Sequence, residues 1–304
     1  MMKRVFITGA AGFFGRYMCE YLAALEERVT IIATDIVDCN TDNCDSFYKM
    51  DLSCACEVAK LVKESKPDYI IHLAGTLGSE NPQEMFKVNV FSIAALLEAA
   101  RGHTPGVVMI AAGSAAEYGR IESHQLPVDE QKLCQPVIPY GLSKQIATET
   151  AMYYHRVHNI CTMIVRPFQL IGKGVTSRLV PGAFVEQLKQ SIVKGSKVIK
   201  VGNLESWRDF LDIHDAVEAV WTLCQKPAGG QIFNLCSGRP TKVADLLEIM
   251  IDCAGLEVKV EVDPSRLRGK VDVSKIYGSF QKLNDHCGWT PKRSLEDSVA
   301  GMFK

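Results

Sequence analysis

The feature that most constrains the fold of this chain is an alternation of short, nearly continuous apolar runs with longer amphipathic segments. The runs are rich in Val and Ile, as is typical of strands buried on both faces: RVFITG (4–9), VTIIATD (29–35), YIIHLAG (69–75), VVMIAA (107–112) and TMIVRP (162–167). The intervening segments have a helical pattern, near 14–26, 54–65, 83–101 and 141–158. This alternation predicts an α/β fold built on a doubly wound parallel sheet.

The pattern changes at about residue 168, where strands become shorter and helices are interrupted. We therefore predict two parts, a Rossmann-type domain over 1–167 and a smaller C-terminal lobe over 168–304. The segment 205–240 is expected to return to the first domain, because QIFNLCSG (231–238) has the pattern of another core strand. Neither repeats nor low-complexity linkers are visible in the sequence.

Composition narrows the class of protein. The 304 residues are 47% hydrophobic and 23% charged, with a net charge of -1, as in ordinary soluble globular proteins. A nearly neutral chain gives no support for a nucleic-acid or membrane partner. No apolar run is long enough to span a bilayer, and the N-terminus begins on a strand pattern rather than a signal peptide. A cytoplasmic location is expected.

The cysteines and two histidines are candidate metal ligands by residue type. The eleven cysteines are scattered and form no CxxC pair. A local cluster, Cys39, Cys44, Cys54 and Cys56, could ligate a metal, but its spacing matches no zinc pattern. Reduced structural thiols and no metal are the favoured interpretation. His155 and His158 share a helix face and are interpreted as surface residues.

A glycine triplet follows the first predicted strand. In TGAAGFFG, Gly9, Gly12 and Gly15 permit a tight turn that lets the backbone approach a pyrophosphate at the start of the next helix. A triplet alone is equally typical of a plain strand–helix turn. Here Asp35 ends the second strand, where a carboxylate accepts hydrogen bonds from ribose hydroxyls and repels a 2′-phosphate. NAD is therefore favoured over NADP.

Asp51 and Leu52 follow a third short extended segment. They are placed to meet the adenine edge of a dinucleotide. For Asp51, a capping position at the next helix is an equally good interpretation.

The stretch PYGLSK contains Tyr140 and Lys144, which lie on one helix face at i and i+4. A free tyrosine has a pKa of about 10, and a fixed ammonium nearby is expected to lower that pKa toward the working range. A chance pair on an exposed turn is the alternative. Ser114, at the end of the fourth apolar run, can donate a hydrogen bond to a developing alkoxide or cap the following turn.

Together, TGAAGFFG, Asp35, HLAG (72–75), Ser114, YGLSK and RPF (166–168) resemble the extended short-chain dehydrogenase/reductases that act on nucleotide sugars. The resemblance implies that Tyr140 is the general acid/base, Lys144 its activator and ribose anchor, and Ser114 the donor to the carbonyl. Asn89 matches an asparagine that supports this site, and a core amide is the compatible alternative. The implied cofactor-binding residues are Gly9, Gly12, Phe13, Phe14, Gly15, Asp35, Asp51, Leu52, Leu73, Ala74, Gly75, Asn89, Tyr140, Lys144, Pro167 and Phe168.

This family includes dehydratases, epimerases, decarboxylases and reductases, so the fold leaves the reaction open. In the 4,6-dehydratases, the catalytic Ser or Thr is followed by an acid pair, or by a polar residue and Glu, that eliminates water. Here Ala115 and Ala116, which cannot move protons, follow Ser114, and Glu117 comes one position too late. Dehydration is therefore not expected.

Segments of the C-terminal lobe (201–219, 234–250 and 263–273) resemble GDP-4-keto-6-deoxy-D-mannose reductases. The resemblance implies a nucleotide-sugar substrate in a substrate-binding lobe, contacted by Ser114, Gln169, Arg178, Val180, Phe184, Arg208 and Arg268. Gln169 stands where these reductases carry asparagine. Ion pairs of Arg208 or Arg268 with Asp209 or Asp272 are the alternative to diphosphate contacts.

The expected activity is NAD(P)-dependent reduction of the C4 ketone of an NDP-4-keto-6-deoxyhexose. A 4-epimerase of the same family would use the same residues. A non-catalytic NAD-sensing module is a further alternative, although such a module should lose Tyr140 or Lys144. The resemblance also implies a homodimer through the helices that bear Asn89 and Tyr140.

Overall fold

The computed structural model describes residues 2–38, 43–78, 82–267 and 273–304. Its strands are β1 Arg4–Thr8, β2 Thr30–Asp35, β3 Ser46–Lys49, β4 Tyr69–His72, β5 Val108–Ala112, β6 Cys161–Pro167, β7 Gln169–Ile171, β8 Val198–Val201, β9 Trp207–Asp212, β10 Gln231–Leu235, β11 Pro240–Lys242 and β12 Lys259–Val262. Its α-helices are α1 Phe13–Ala23, α2 Ala55–Ser65, α3 Pro82–Phe86, α4 Ser92–His103, α5 Pro139–His158, α6 Val180–Lys194, α7 Ile213–Gln225, α8 Val243–Ala254, α9 Gln281–Cys287 and α10 Leu295–Phe303. A π-helix, Lys87–Phe91, lies between α3 and α4.

In the described part of the chain, seven strands form one sheet in the order β3-β2-β1-β4-β5-β6-β10. Every neighbouring pair is parallel. The strand order reverses between β1 and β4, and a ligand crevice opens at such a point, beyond the carboxyl ends of the strands. The predicted doubly wound parallel sheet is therefore confirmed, and the predicted strands agree with the observed ones to within a few residues.

Helices cover both faces of this sheet. Successive residues of β1 belong to different cores: Val5 and Ile7 pack with the face that carries α1 and α7, and Phe6 packs with the face that carries α2, α4 and α5. Because side chains alternate along a strand, a strand covered on both sides must be apolar at every position. This explains the continuous apolar runs in the sequence.

After β6 the chain builds smaller sheets, β11-β9-β7 and β12-β8. The first of these lies between two cores, because Leu211 of β9 packs with the large sheet while its neighbour Phe210 packs with α6, α8 and α10. β10 joins the edge of the seven-stranded sheet beside β6, and α7 packs against α1. The carboxyl ends of β6 and β10 lead within a few residues into β7 and β11 of the three-stranded sheet.

Among the residues described, no helix is both long enough and apolar enough to cross a membrane.

Candidate active site

The glycine turn between β1 and α1 is sterically specified. Gly9 has φ of 71°, and a Cβ there would lie 2.6 Å from the backbone nitrogen of Ala74. A Cβ on Gly15 would collide with the carbonyl oxygen of Gly9. Gly12 precedes α1 without a side-chain cap, so the first N–H groups of this helix can bind an anion in the crevice. These contacts fit a pyrophosphate cradle.

Asp35 lies beside this cradle. Its Oδ2 accepts a hydrogen bond from the Ala11 N–H at 2.9 Å, and its Oδ1 accepts one from the Ile36 N–H at 2.7 Å. The carboxylate is thus fixed at the carboxyl end of β2, next to the glycine turn. Phe13 and Phe14, at the start of α1, are half-buried against the core.

Asp51 is part of the turn that leads into α2. Its Oδ1 accepts from the Ser53 N–H at 2.9 Å, and this bond holds the pKa of the carboxyl below its usual value. Its carbonyl oxygen accepts from the Cys54 N–H at 3.0 Å. Both contacts lie within the turn before α2, as expected if Asp51 caps this helix rather than binds a ligand. Leu52 is only 7% exposed, so its side chain has little surface for a ligand, and adenine contact at this turn stays a prediction.

Leu73, Ala74 and Gly75 follow β4 directly and line the other side of the turn. Ala74 donates its N–H to the Thr8 hydroxyl at 3.3 Å. A Cβ on Gly75 would lie 3.0 Å from the Lys144 Nζ and 3.1 Å from the Asn89 Oδ1. The loop after β4 therefore connects the glycine turn with α5.

Tyr140 lies in the first turn of α5, which begins at Pro139. Its side chain is hydrogen-bonded with that of Ser114. Burial and the charge of Glu117 raise the pKa of Tyr140 to about 12, against the lowering effect of Ser114. The predicted net fall of this pKa toward the working range is therefore wrong in this structure, because loss of hydration outweighs the influences that favour the phenolate.

Lys144, one turn further along α5, is buried. Its Nζ donates to the Ala112 carbonyl at 2.8 Å. Burial lowers the pKa of this amine to about 8, although Glu117 opposes the change. The amine is therefore held at the carboxyl end of β5, and it titrates not far above neutral pH.

Ser114 combines both roles considered from the sequence. Its Oγ accepts a hydrogen bond from the Ala116 N–H at 3.1 Å, which caps the short 3-10 helix Ala115–Glu117. The same side chain is bonded with Tyr140. Capping thus fixes the hydroxyl at the position where it meets the phenol.

Glu117 points into the core. Its carboxylate forms an ion pair with Arg166 (Nε to Oε2, 2.9 Å) and accepts from Thr148 at 3.1 Å and from the Ser114 N–H at 2.8 Å. Arg166 also lies over the ring of Tyr118, 4.8 Å from its centroid. This network holds the Ser114 turn in place from behind, a positioning role that the sequence did not reveal.

Asn89 lies in the π-helix and is buried. Its Oδ1 accepts from the Thr76 N–H at 2.8 Å, and its Nδ2 donates to the Thr76 carbonyl at 3.1 Å and to the Ser143 Oγ at 2.9 Å. Ser143 in turn donates to the Tyr140 carbonyl. Asn89 therefore ties the loop after β4 to the start of α5, as a buried core amide with its hydrogen bonds satisfied.

His72 is a buried residue of this site for which sequence reasoning proposed no role. Its Nδ1 lies 2.7 Å from the Thr8 Oγ1, and its Nε2 lies 3.4 Å from the Ser92 Oγ. Burial and the charge of Lys144 lower the pKa of His72 to about 3. The Ser92 hydroxyl donates its hydrogen bond to the Val88 carbonyl oxygen, so it can only accept from His72. His72 is therefore neutral, with its ring proton on Nε2. His72 is the first residue of the motif HLAG and the last residue of β4. This position at a strand end could have indicated that it lies near the site.

Residues assigned to the substrate are less closely grouped. Gln169 begins β7, and its Oε1 is buried without a hydrogen-bond partner among the described residues. Gln169 pairs with Phe210 of β9, so Arg208, two residues before Phe210, lies on the same face of the small sheet. Asp209, the alternative partner of Arg208, accepts hydrogen bonds from Ser237, Gly238 and Gly278.

The remaining assigned residues differ in exposure. Arg178 is exposed, and Val180 is half-buried at the first position of α6. Phe184 is only 4% exposed within the lobe core, and Phe168 packs with Tyr118, so these two rings offer little surface to a ligand. Pro167 ends β6 beside the crevice. Arg268 lies outside the described residues.

Among the described residues, no group of three or more His, Cys, Asp or Glu could hold a metal ion. Cys54 and Cys56 are in contact, Cys44 packs against the large core, and Cys39 lies outside the described residues. His155 and His158 are both partly exposed on α5, and the Nδ1 of His155 lies 3.0 Å from the Ile160 carbonyl.

Comparison with known proteins agrees with this geometry. A GDP-6-deoxy-D-mannose reductase of Pseudomonas aeruginosa is 28% identical over all of this chain and 97% of its own length. A UDP-arabinose 4-epimerase of Arabidopsis thaliana is 25% identical over all of this chain and 79% of its own length. The solved structure of RMD from Pseudomonas aeruginosa, complexed with NADPH, has a TM-score of 0.87 and 26% identity, covering 99% of this chain and 97% of the other.

A model of the NAD dependent epimerase/dehydratase family matches residues 5–236, which is most of the chain. The predictions of an NAD(P)-dependent nucleotide-sugar enzyme and of a dinucleotide cofactor are confirmed at this level. The chain belongs to the NAD dependent epimerase/dehydratase family.

Proposed function

We propose that this protein reduces the C4 ketone of an NDP-4-keto-6-deoxyhexose, with a GDP-4-keto-6-deoxy-D-mannose-like substrate as the first candidate. The observation that carries the proposal is a tyrosine hydroxyl bonded to Ser114, with the Lys144 amine one turn away. The similarity to a GDP-6-deoxy-D-mannose reductase supports the choice of base and sugar.

The protonation state of the site suits reduction. Since the pKa of Tyr140 is raised to about 12, the phenol is protonated at neutral pH and can act as a proton donor. A ketoreductase needs a donor first, whereas a reaction that begins with oxidation needs a base. Glu117, the only carboxylate in the segment after Ser114 (115–119), is paired with Arg166, so it is not placed to remove a proton from a sugar.

In the proposed mechanism, Ser114 and Tyr140 bind the C4 oxygen and polarise the carbonyl. The bound nicotinamide dinucleotide supplies the hydride. Tyr140 transfers its phenolic proton to the developing alkoxide, and the Lys144 ammonium stabilises the tyrosinate that remains. Lys144 has a pKa of about 8, so most molecules carry this charge at neutral pH.

NAD(H) is the proposed cofactor, in preference to NADP(H). Asp35 places its carboxylate beside the glycine cradle, where it would accept bonds from ribose hydroxyls and repel a 2′-phosphate. The related Pseudomonas protein was solved in complex with NADPH, so the preference is a property to be measured for this chain. Titration of the purified protein with NADH and NADPH is the direct measurement. Tighter binding of NADPH would overturn the preference.

For the substrate, we assign the buried Oε1 of Gln169 to a sugar hydroxyl, because that acceptor has no partner within the described residues. Arg208, on the same face of the small sheet, and Arg178, exposed before α6, are assigned to the diphosphate and base side. Val180 lies next to Arg178, at the start of α6. Arg268 is assigned to the diphosphate on the resemblance alone.

We further propose a cytoplasmic homodimer. Four apolar residues form an exposed α5 stripe: Leu142, Ile146, Tyr153 and Val157. Their spacing puts them on one helix face, and Phe91, on the adjoining π-helix, is also exposed. A second copy of the same helices would cover this stripe. The free cysteines among the described residues fit a reducing compartment.

The decisive experiment supplies GDP-4-keto-6-deoxy-D-mannose and its dTDP and UDP counterparts to the protein with NADH, and measures both NADH oxidation and product stereochemistry. Stoichiometric NADH loss with a 6-deoxyhexose product supports the proposal. Interconversion of UDP-sugars at C4 without net NADH loss would identify an epimerase instead, the activity of the Arabidopsis relative. Dinucleotide binding without any turnover would identify a sensing module.

A further inference from the structure

Two cysteine thiols are in contact at the start of α2. Cys54 immediately precedes the helix and Cys56 is its second residue, and their Sγ atoms are 3.3 Å apart. Cys56 is exposed and Cys54 is half-buried. The contact therefore lies at the surface, where a small molecule can reach it.

The contact is not an ordinary consequence of helix geometry. Side chains two residues apart in an α-helix point to opposite sides and do not meet. Cys54, however, has φ of -84° and ψ of 87°, outside the helical region. This non-helical backbone turns the Cys54 side chain toward Cys56.

The backbone spacing also suits a covalent bond. Residues i and i+2 of a helix have Cα atoms about 5.4 Å apart, from the helical rise and radius. Disulfides favour Cα separations of about 5.5–6 Å. Closing the bond requires the sulfur atoms to approach from 3.3 Å to about 2.0 Å, which rotation of the two side chains and a small movement at Cys54 can provide.

We propose that Cys54 and Cys56 are a site of reversible disulfide formation, driven by exchange with a small-molecule disulfide such as oxidised glutathione. The exposed Cys56 thiolate attacks one sulfur of glutathione disulfide, which releases one glutathione thiolate and leaves a mixed disulfide on Cys56. Cys54 then loses its proton and attacks the Cys56 sulfur, which releases the second glutathione. The protein loses two electrons and two protons, and glutathione disulfide becomes two thiols.

The pH dependence of this exchange follows from the same contact. The neighbouring Cys54 raises the pKa of Cys56, so the attacking thiolate is scarce at neutral pH. Oxidation is expected to become faster as the pH rises. The pair is thus stable as a dithiol under reducing conditions and responds to an excess of disulfide.

The disulfide would act on the dinucleotide site, a consequence that rests on the proposed cofactor binding. The Cys54 N–H donates to the Asp51 carbonyl, and the Asp51 carboxylate holds the Ser53 N–H in the same turn. Movement of Cys54 therefore displaces the turn assigned to the adenine edge. We expect the oxidised protein to bind NADH about fivefold more weakly, a typical size for coupling between two sites. By the same linkage, bound NADH should make the pair harder to oxidise by the same factor.

The sequence offers a clean readout, because trypsin releases MDLSCACEVAK, residues 50–60, with both cysteines and no others. The full-length protein is equilibrated with mixtures of reduced and oxidised glutathione, alkylated, digested and analysed by mass spectrometry. The expected product is this peptide with two hydrogen atoms fewer and no alkyl groups. A peptide that stays doubly alkylated at every glutathione ratio, or that is found only joined to glutathione or to another peptide, would overturn the proposal.

Two variants control for the other thiols. Cys56→Ser should abolish the oxidised peptide and the redox dependence of NADH affinity, with affinity unchanged under reducing conditions. Cys253→Ser removes another exposed cysteine, on α8, and should leave both effects intact. If the disulfide forms while NADH affinity is unchanged, the link to the cofactor site is wrong. If the reduced protein fails to bind NADH, the proposed cofactor fails, and the mass measurement still decides the disulfide.

Discussion

At the scale of single residues, burial moves the pKa values of two ionisable groups of α5, Tyr140 and Lys144, in opposite directions. It raises the pKa of Tyr140 to about 12 and lowers that of Lys144 to about 8, because loss of hydration disfavours the charged form of each. At neutral pH the phenol is neutral, while the amine retains its charge. The pair is therefore prepared to give a proton rather than to take one.

Replacing Tyr140 by phenylalanine removes the proton donor and preserves the ring. We expect Tyr140→Phe to lower kcat by about 10³-fold, within the range for loss of a general acid, while NADH affinity changes by less than about twofold, since the phenol hydroxyl carries little of the binding energy of a dinucleotide. Single-turnover kinetics and NADH titration measure the two quantities. A variant with undiminished turnover would contradict the mechanism.

Replacing Lys144 by methionine should stabilise the fold while removing activity. The fall in pKa from 10.5 to about 8 corresponds to about 3 kcal/mol. The lost bond to Ala112 offsets about 1 kcal/mol. At pH 7 the free energy of unfolding should therefore rise by roughly 2 kcal/mol in Lys144→Met.

The difference in unfolding free energy between Lys144→Met and the wild-type protein should depend on pH. Below about pH 8 the buried amine is charged in the folded protein, and the penalty is present in full. Between about pH 8 and 10.5 the unfolded chain binds more protons, so the wild-type protein gains stability as the pH rises. The advantage of the variant should shrink over this interval. Urea titrations at several pH values measure it, and an advantage that does not depend on pH would contradict the assigned cause.

The sequence allowed prediction of the candidate reacting groups and of their positions, but not of their support. Ser114, Tyr140 and Lys144 were chosen as candidates because strand ends and an i, i+4 spacing place side chains by rule. The burial that shifts their pKa values depends on how α5 packs against the Ser114 turn, which no local pattern encodes. The ion pair of Glu117 and Arg166 joins residues that are distant in the chain, and nothing local signals such a pair.

At the scale of elements, the turn after β1 and the loop after β4 are packed backbone against backbone. A Cβ on Gly9 would meet the backbone of Ala74 at 2.6 Å, and φ of 71° adds strain for any other residue. The two connections at the proposed dinucleotide site therefore cannot separate without disturbing each other.

Gly9→Ala should thus reduce both stability and NADH affinity. We expect the free energy of unfolding to fall by about 2 kcal/mol or more, from backbone strain and the close contact, and NADH affinity to fall at least about tenfold. Gly102→Ala is the matched control, because no described atom lies within 4 Å of the new Cβ near the end of α4. That variant should be up to about 1 kcal/mol more stable. Thermal unfolding and NADH titration of both variants test the difference.

Most helices and strands of the first part of the chain could be predicted because the spacing of their apolar residues is clear. The five apolar runs correspond to β1, β2, β4, β5 and β6, and the helical patterns to α1, α2, α4 and α5. The π-helix was not predicted, because the helical pattern over 83–101 runs through its sequence KVNVF without an interruption. Its extra residue is stabilised by tertiary contacts of Asn89 rather than by local preference.

At the scale of the whole molecule, the small sheet β11-β9-β7 separates two apolar cores. The change of pattern near residue 168 marked the first crossing between them. The return of the chain through β9 was harder to predict from the sequence WRDFLD. Its neighbouring side chains pack into two different cores, so the strand lacks a long apolar run. Residues of one short strand, Phe210 and Leu211 of β9, therefore belong to different cores.

The proposed homodimer can be tested through the α5 stripe. A charge there would be buried without a partner in the interface, so Ile146→Glu should convert a dimer into a monomer in sedimentation velocity experiments. Val193→Glu is the control, because Val193 is an exposed apolar residue on α6, outside the stripe. We expect that variant to remain dimeric. Two variants with identical sedimentation would exclude the stripe as the interface.

The π-helix Lys87–Phe91 has a consequence for how this gene tolerates change. A π turn contains one residue more than an α turn, so loss of a single codon would let α3 and α4 fuse into one regular helix. The flanking helices would keep their present orientation, because only the extra residue of the π turn is removed, but the turn that holds Asn89 against Thr76 and Ser143 would be lost. Such a frame-preserving deletion should leave the circular dichroism spectrum almost unchanged and abolish turnover.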